Sequence, residues 1–286
     1  MKPATFEYHP ATSVAHAVDL LGEYGDDAKL LAGGQSLAAV MNLRLARPEV
    51  IVDIDRVPGL AHVLADGEAL RVGALARHRQ LETYPADLGG YELLRRTARF
   101  IGHYPIRVRG TVGGSIAHAD PAAEWVLLAA LLDAEVELAS VRGRRTVGAA
   151  ELFHGSFLTS IEPDELLTET RFPRGYRYGA IREYARRHGD FAIVAAAVAY
   201  DLDDDGATVD PRIALAGVDV VPVRAHDAER ALAGQRPDDA AIAEVVELAV
   251  AALDPPSDAH GDATYRRHLA RTLTTRALTE ARDGAA

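Results

Sequence analysis

Residues 30–54 read LLAGGQSLAAVMNLRLARPEVIVDI, and this stretch determines the first part of the fold. A short apolar run breaks into the pair Gly33-Gly34, a helical pattern follows, and residues 50–54 form a second apolar run. This order predicts a compact β-loop-α-β unit. Successive glycines let the backbone turn tightly and bring consecutive N–H groups close to an anion, with no Cβ in the way.

A second glycine-rich stretch, IRVRGTVGGSIAHA at residues 106–119, leads into the apolar helix pattern AAEWVLLAALLDA. Hydroxyl groups on Ser36, Thr111 and Ser115 add donors, and the helix start after each loop adds a favourable dipole. Neither loop has the spacing of G-x-G-x-x-G or of the phosphate loop that ends in Gly-Lys-Ser/Thr. One Gly-Gly pair is usually a plain turn. Two such loops in one chain predict a shared diphosphate site.

The remaining patterns predict an α+β protein with several lobes. The strand FEYHP precedes a helix capped near Thr12 or Ser13 and stopped at Gly25. The pair Asp66-Gly67 predicts a hairpin turn. Apolar residues at helical spacing from Tyr91 to Ile101 predict a further helix that ends at Gly102.

From about residue 175 the pattern predicts three strands and then helices at about 227–233, 240–253 and 264–281. The acidic run Asp201 to Gly206 begins like a calcium loop. Arg212 stands where that loop needs a bidentate Glu, so we interpret the run as a hairpin turn. We divide the chain into residues 1–57, 58–174 and 175–286.

Composition excludes several classes of function. The chain has 286 residues, 48% hydrophobic, and no cysteine, which excludes disulfides, thiolate nucleophiles and a cysteine-bound iron–sulfur cluster of its own. Its net charge of −11 argues against nucleic-acid binding. No apolar run is long enough for a membrane span and no secretion signal is recognisable, so we expect a cytoplasmic protein. The histidines show no metal-binding spacing, so we expect no protein-bound metal.

Six segments resemble one family in the expected order. The two glycine loops with their flanks, the start MKPATFEYHPATSVAHAVDLL, and the segments LFHGSFLTSIEPDELL, REYARRHGDFAIVAAAVA and TYRRHLARTLTTRAL are similar to the FAD-binding medium subunit of the carbon monoxide dehydrogenase and xanthine dehydrogenase family. The resemblance implies a two-lobed FAD-binding fold of the vanillyl-alcohol-oxidase (PCMH) type. A C-terminal domain with a three-stranded antiparallel sheet and helices, similar to that of the CO dehydrogenase flavoprotein, would follow it.

The resemblance also implies how noncovalent FAD is held. The diphosphate would lie between Ala32–Ser36 and Thr111–Ser115, Glu124 would hold the adenosine ribose, and the turn at Gly189 would approach the flavin. From the residues alone, Glu124 is equally a dipole-favoured acid at a helix start. Many relatives carry a flavin-proximal lysine where this chain has Arg182 and Glu183, and an asparagine where it has Val108. The expected cofactor-binding residues are Leu31, Ala32, Gly33, Gly34, Gln35, Ser36, Leu37, Ile101, Thr111, Val112, Gly113, Gly114, Ser115, Ala119, Asp120, Glu124, Leu167, Arg182, Asp190 and Phe191.

By this resemblance the chain is an electron-transfer subunit. FAD would take electrons from a small [2Fe-2S] subunit and pass them to an external acceptor, while a large molybdopterin subunit oxidises the substrate. The assembly would be a dimer of heterotrimers, and we assign no catalytic residue to this chain. Two alternatives stay open: a self-sufficient flavin oxidase with its own substrate pocket, and a noncatalytic flavin-bearing module that serves assembly.

Overall fold

The first lobe is a three-stranded parallel sheet with α-helices in the connections between its strands. The computed structural model describes residues 2–67, 69–84 and 89–284. Strands β1 (Glu7–Pro10), β2 (Ala28–Leu31) and β3 (Val50–Asp53) pair in the order β1-β3-β2, with helices α1 (Val14–Tyr24) and α2 (Leu37–Asn42) between them. The predicted β-loop-α-β unit is confirmed. Ser13 caps α1 by accepting a hydrogen bond from the His16 amide at 3.0 Å, and Gly25 ends the helix.

The second lobe is built on a five-stranded antiparallel sheet with strand order β4-β5-β10-β6-β7. The Asp66-Gly67 turn joins β4 and β5 as predicted. The helix predicted for residues 91–101 ends early, at Thr97, because the chain then tightens into turns such as Phe100 N–H to Thr97 O. The elements are β4 (Val63–Ala65), β5 (Leu70–Gly73), α3 (His78–Glu82), α4 (Glu92–Thr97), α5 (Tyr104–Arg107), α6 (Val112–His118), α7 (Glu124–Leu131), β6 (Glu135–Ser140), β7 (Gly143–Gly148), α8 (Ala149–Leu152), β8 (Phe153–Gly155), β9 (Leu158–Thr159) and β10 (Leu166–Phe172).

The C-terminal sheet has four strands where the sequence predicts three. Gly217 adopts a φ of 73° and turns the chain, so the apolar run after residue 211 does not continue as one strand. The returning segment forms a short fourth strand that pairs Val223 with Leu215. The acidic run is a hairpin turn, as interpreted. The elements are β11 (Tyr178–Tyr184), β12 (Val194–Leu202), β13 (Thr208–Ala216), β14 (Val223–Arg224), α9 (His226–Leu232), α10 (Asp239–Ala251) and α11 (Ala263–Asp283).

This C-terminal sheet is buried on both faces. Strand β12 is an alanine- and valine-rich run in which residues from Val194 to Tyr200 are all buried. Alternate residues pack on α11 on one side and against the second lobe, including α7, on the other. Residues of β11 therefore alternate between α11 and the second lobe. Within the described residues, no helix combines the length and apolarity needed to cross a membrane.

Candidate functional site

The first glycine loop, residues 32–36, presents unused backbone donors. It connects β2 to α2, and Gly34 sits at a φ of 69°. Within the described chain, no amide from Gly33 to Leu37 donates a hydrogen bond to a protein atom. The side chain of Gln35 braces the loop by donating to Gly33 O at 2.9 Å. A run of free, consecutive amides is a site where an anion can bind.

The two glycine loops touch each other. A Cβ on Gly33 would lie 2.2 Å from Arg109 O and 2.8 Å from the Cα of Gly110, so no larger residue fits there without moving the second loop. Although the loops are far apart in sequence, they face one another across a cavity of about 180 Å³. The cavity is lined by Ala32, Gly33, Asp55, Arg77, Val108 and Arg109.

The second loop does not offer the cradle of amides that its sequence predicts. Val112 N–H donates to Ala76 O at 2.9 Å, Gly113 N–H to Ala74 O at 3.1 Å, Gly114 N–H to Thr111 Oγ1 at 3.0 Å, and Ser115 N–H to Thr111 O at 3.1 Å. The structure therefore does not favour backbone donors at residues 112–115, because Thr111 caps α6 and Gly113 packs against Ala74. A Cβ on Gly113 would lie 2.6 Å from the Cα of Ala74. Within the described chain, the Thr111 N–H and the hydroxyl groups of Thr111 and Ser115 donate no hydrogen bond to a protein atom.

Two carboxyl groups, the buried Glu124 and the half-buried Glu183, interact electrostatically at the boundary between the second lobe and the C-terminal domain. Glu124 opens α7 and is only 7% exposed. Burial, with a smaller contribution from Asp120, raises its pKa to about 7. Glu183 faces it from β11, and burial together with the charge of Glu124 raises the pKa of Glu183 to about 8. The buried Oε2 of Glu183 has no hydrogen-bond partner among the described residues, so its hydrogen-bonding capacity is unsatisfied within the chain.

Arg182 lies on the other face of the same strand. Its guanidinium forms an ion pair with Glu280 of α11 at 2.7 Å. Because side chains alternate along a strand, Arg182 is directed towards α11 while Glu183 faces the second lobe. This placement does not support the expected cofactor contact of Arg182. Glu183 is the residue of the pair that faces the site.

The remaining expected residues lie in several parts of the fold. The turn before Phe191 packs on α5 through Gly189, whose Cβ would lie 2.6 Å from the ring of His103. Phe191 itself is 60% exposed. Ile101 and Leu167 are buried in the core of the second lobe, and Ala119 ends α6 in the left-handed conformation, with Asp120 next to it. Leu31 and Leu37 flank the first loop and are half-buried.

The sequence does not predict a cluster of three residues that packs near the second loop, namely Arg77, His78 and Trp125. His78, on α3, is 5% exposed, and its Nδ1 accepts a hydrogen bond from Trp125 Nε1 at 2.9 Å. Arg77 donates to Arg109 O and to the Asp55 carboxylate. The sequence gives no signal for this cluster, because ARHRQ resembles the polar start of any surface helix.

The comparisons with known proteins cover the whole chain. The family model of the FAD binding domain in molybdopterin dehydrogenase matches residues 4–175, and that of the CO dehydrogenase flavoprotein C-terminal domain matches residues 179–281. The 6-hydroxypseudooxynicotine dehydrogenase complex subunit alpha of Paenarthrobacter nicotinovorans is 42% identical over 284 residues, covering 98% of this chain and 96% of that protein. The carbon monoxide dehydrogenase medium chain of Hydrogenophaga pseudoflava is 36% identical over 287 residues, covering 98% of each. A solved structure of carbon monoxide dehydrogenase from Hydrogenophaga pseudoflava matches with a TM-score of 0.94 at 37% identity, covering 100% of both chains.

Fold, site and comparisons together define a flavoprotein subunit of an oxidoreductase. The chain belongs to the FAD-binding medium subunits of the molybdenum hydroxylase family, which includes the carbon monoxide dehydrogenases. FAD is its cofactor. The free amides of the first loop and the unpartnered carboxyl oxygen of Glu183 are donors and acceptors that fit a dinucleotide with a diphosphate and several hydroxyl groups.

Proposed function

We propose that the diphosphate of FAD binds at the free amides between Gly33 and Leu37. Thr111 and Ser115, in the second loop, would add hydroxyl donors. Support comes from the contact of Gly33 with Arg109 and Gly110, which holds both loops against one space. Backbone donors suit this chain, because its net charge of −11 gives a field that is unfavourable to an anion. We assign residues 4–175 to the vanillyl-alcohol-oxidase (PCMH) type of fold.

The ribose and flavin contacts follow from the same placement. Glu124 would accept hydrogen bonds from the adenosine ribose, since a buried carboxyl that lacks a cationic partner favours a hydroxyl donor. The exposed ring of Phe191 and the neighbouring Asp190 would lie near the flavin. Apolar contacts would come from Ile101 and Leu167. No residue of this set is assigned to acid–base or nucleophilic chemistry.

The chain would act as an electron relay in a larger enzyme. When bound, FAD would supply the redox chemistry, and the chain would hold it between the [2Fe-2S] centres of a partner subunit, as electron donors, and an external acceptor. The chain has no cysteine with which to hold such a cluster itself. Substrate oxidation would belong to a large molybdopterin subunit, and the assembly would be a dimer of heterotrimers. The full-length similarity to medium subunits of dehydrogenase complexes supports this division of roles.

An anaerobic reduction experiment tests the relay. Substrate is added to the complete complex and, separately, to the flavin-loaded chain alone, and the flavin absorption band is followed. We expect bleaching only in the complex, because the chain by itself holds no substrate-oxidising centre. Turnover of an alcohol or aldehyde by the isolated chain would instead establish a self-sufficient oxidase. A complex whose flavin stays oxidised while substrate is consumed would make the chain an assembly module.

A further inference from the structure

The residues Arg77 and His78 hold the second glycine loop from below, at the point where it meets the first. Arg77 precedes α3 and bridges to Thr111, while His78 begins the helix. The cavity of about 180 Å³ between the two glycine loops is called the diphosphate groove below. We propose that Arg77 and His78 are positioning residues that set the width of this groove by holding Arg109 and Gly110 against Gly33. The inference rests on the proposed function, since it assumes that the groove holds the diphosphate.

His78 supports Gly110 in two ways. Its backbone N–H donates to Gly110 O at 3.2 Å, and its ring packs so closely that a Cβ on Gly110 would lie 2.6 Å from Nε2. Gly110 in turn lies next to Gly33, because a Cβ on Gly33 would be 2.8 Å from the Cα of Gly110. The His78 ring therefore contacts Gly110, and Gly110 contacts Gly33. A shorter side chain in place of His78 would allow Gly110 to move away from Gly33.

Trp125 fixes the orientation of the His78 ring. The indole N–H donates to Nδ1 at 2.9 Å, so Nδ1 carries no proton and the neutral ring carries its proton on Nε2, the atom that faces Gly110. Burial, aided by the charges of Arg77 and Arg107, lowers the pKa of His78 to about 4. The ring therefore stays neutral at physiological pH, and its Nδ1 continues to accept the hydrogen bond from Trp125 Nε1.

Arg77 ties the same segment to the first lobe. Its guanidinium donates to Arg109 O and to the carboxylate of Asp55, which lies just after β3. The backbone N–H of Asp55 in turn donates to Asp53 Oδ1 at 2.8 Å, which fixes the position of Asp55. Arg77 also lines the cavity between the loops. One side chain thus joins β3 to the second loop and places a cation beside the groove.

The test compares ligands that contain the diphosphate with one that does not. Binding of FAD, ADP and adenosine to the full chain is measured for His78→Asn, which keeps an acceptor near Trp125 but removes the atoms that touch Gly110. We expect the Kd of FAD and of ADP to rise roughly tenfold or more while that of adenosine changes little. His154→Asn on β8 is the matched control, because His154 lies outside the groove lining.

The outcomes separate the two proposals. A folded His78→Asn variant with unchanged ADP and FAD affinity overturns the inference, and so does an equal loss for adenosine, since that would indicate a general structural defect. If the variant does not fold, Arg77→Lys decides: it keeps the charge but loses the two-pronged guanidinium contact, so a selective loss of diphosphate affinity supports the positioning role and no loss refutes it. If the unmodified chain binds no FAD, it is the proposed function that fails.

Discussion

At Gly33 the whole site depends on the absence of a single methyl group. The Cα of this residue faces the carbonyl of Arg109 so closely that a Cβ would come within 2.2 Å of it. Backbone atoms cannot rotate away as a flexible side chain can, so any larger residue must separate the loops. The amides from Gly33 to Leu37 would then lose their fixed position relative to Arg109 and Gly110.

We therefore expect Gly33→Ala to weaken FAD binding by at least tenfold, about 1.4 kcal/mol. The loss should appear in a fluorescence titration of the apo chain with FAD. Gly148→Ala is the matched control, because a Cβ at Gly148 meets no atom within 4 Å in the described structure. An alanine at Gly33 that leaves the Kd of FAD unchanged would show that loop contact does not determine cofactor binding.

Glu183 and Glu124 should make the stability of the apo chain depend on pH. The pKa of Glu183 is raised to about 8 in the folded chain, above its ordinary value of 4.5, so the folded state binds a proton that the unfolded state releases. Stability of the apo chain should therefore fall as the pH rises from about 5 to about 8. Glu124, with its pKa raised to about 7, acts in the same direction.

Glu183→Gln should remove part of this dependence. The variant has no proton to lose, so we expect it to be more stable than the unmodified apo chain at about pH 8.5, by at least about 1 kcal/mol, and to differ little at about pH 5. Urea unfolding at the two pH values measures the difference. Equal stability at the higher pH would contradict a buried, unpartnered carboxyl at this position.

The ends of an element can be predicted from sequence where a single residue determines them. Ser13 and Gly25 bound α1 as predicted, and the β-loop-α-β unit formed around Gly33-Gly34. The second loop shows the limit. A glycine lacks a Cβ whether it approaches an anion or a neighbouring backbone, and Gly113 approaches Ala74. Sequence alone does not distinguish these two needs.

Strand β11 shows a second limit of the same kind. Alternation tells us that Arg182 and Glu183 lie on opposite faces, but it does not tell us which face meets α11. Only the packing of Ala180 on the C-terminal helices and of Ile181 on the second lobe decides this. The cluster of Arg77, His78 and Trp125 is also invisible in sequence, because its members become neighbours only through the fold.

At the scale of the whole molecule, α7 connects the cofactor-binding lobes to the C-terminal domain at both of its ends. Near its start, Gly217 N–H donates to Pro121 O at 3.3 Å, and Glu124 faces Glu183. Just beyond its end, Asp133 forms ion pairs with Arg212 and Arg224. The C-terminal domain therefore packs against both ends of α7 and places Glu183 near Glu124.

Hydrogen exchange of the backbone amides, with and without FAD, tests the diphosphate assignment most directly. The amides of residues 33–37 have no acceptor in the described chain, whereas those of residues 112–115 are already bonded within it. FAD should therefore slow exchange strongly in a peptide spanning the first loop and change it little in one spanning residues 112–115. Unchanged exchange at residues 33–37 in the fully FAD-loaded chain would contradict the proposed site.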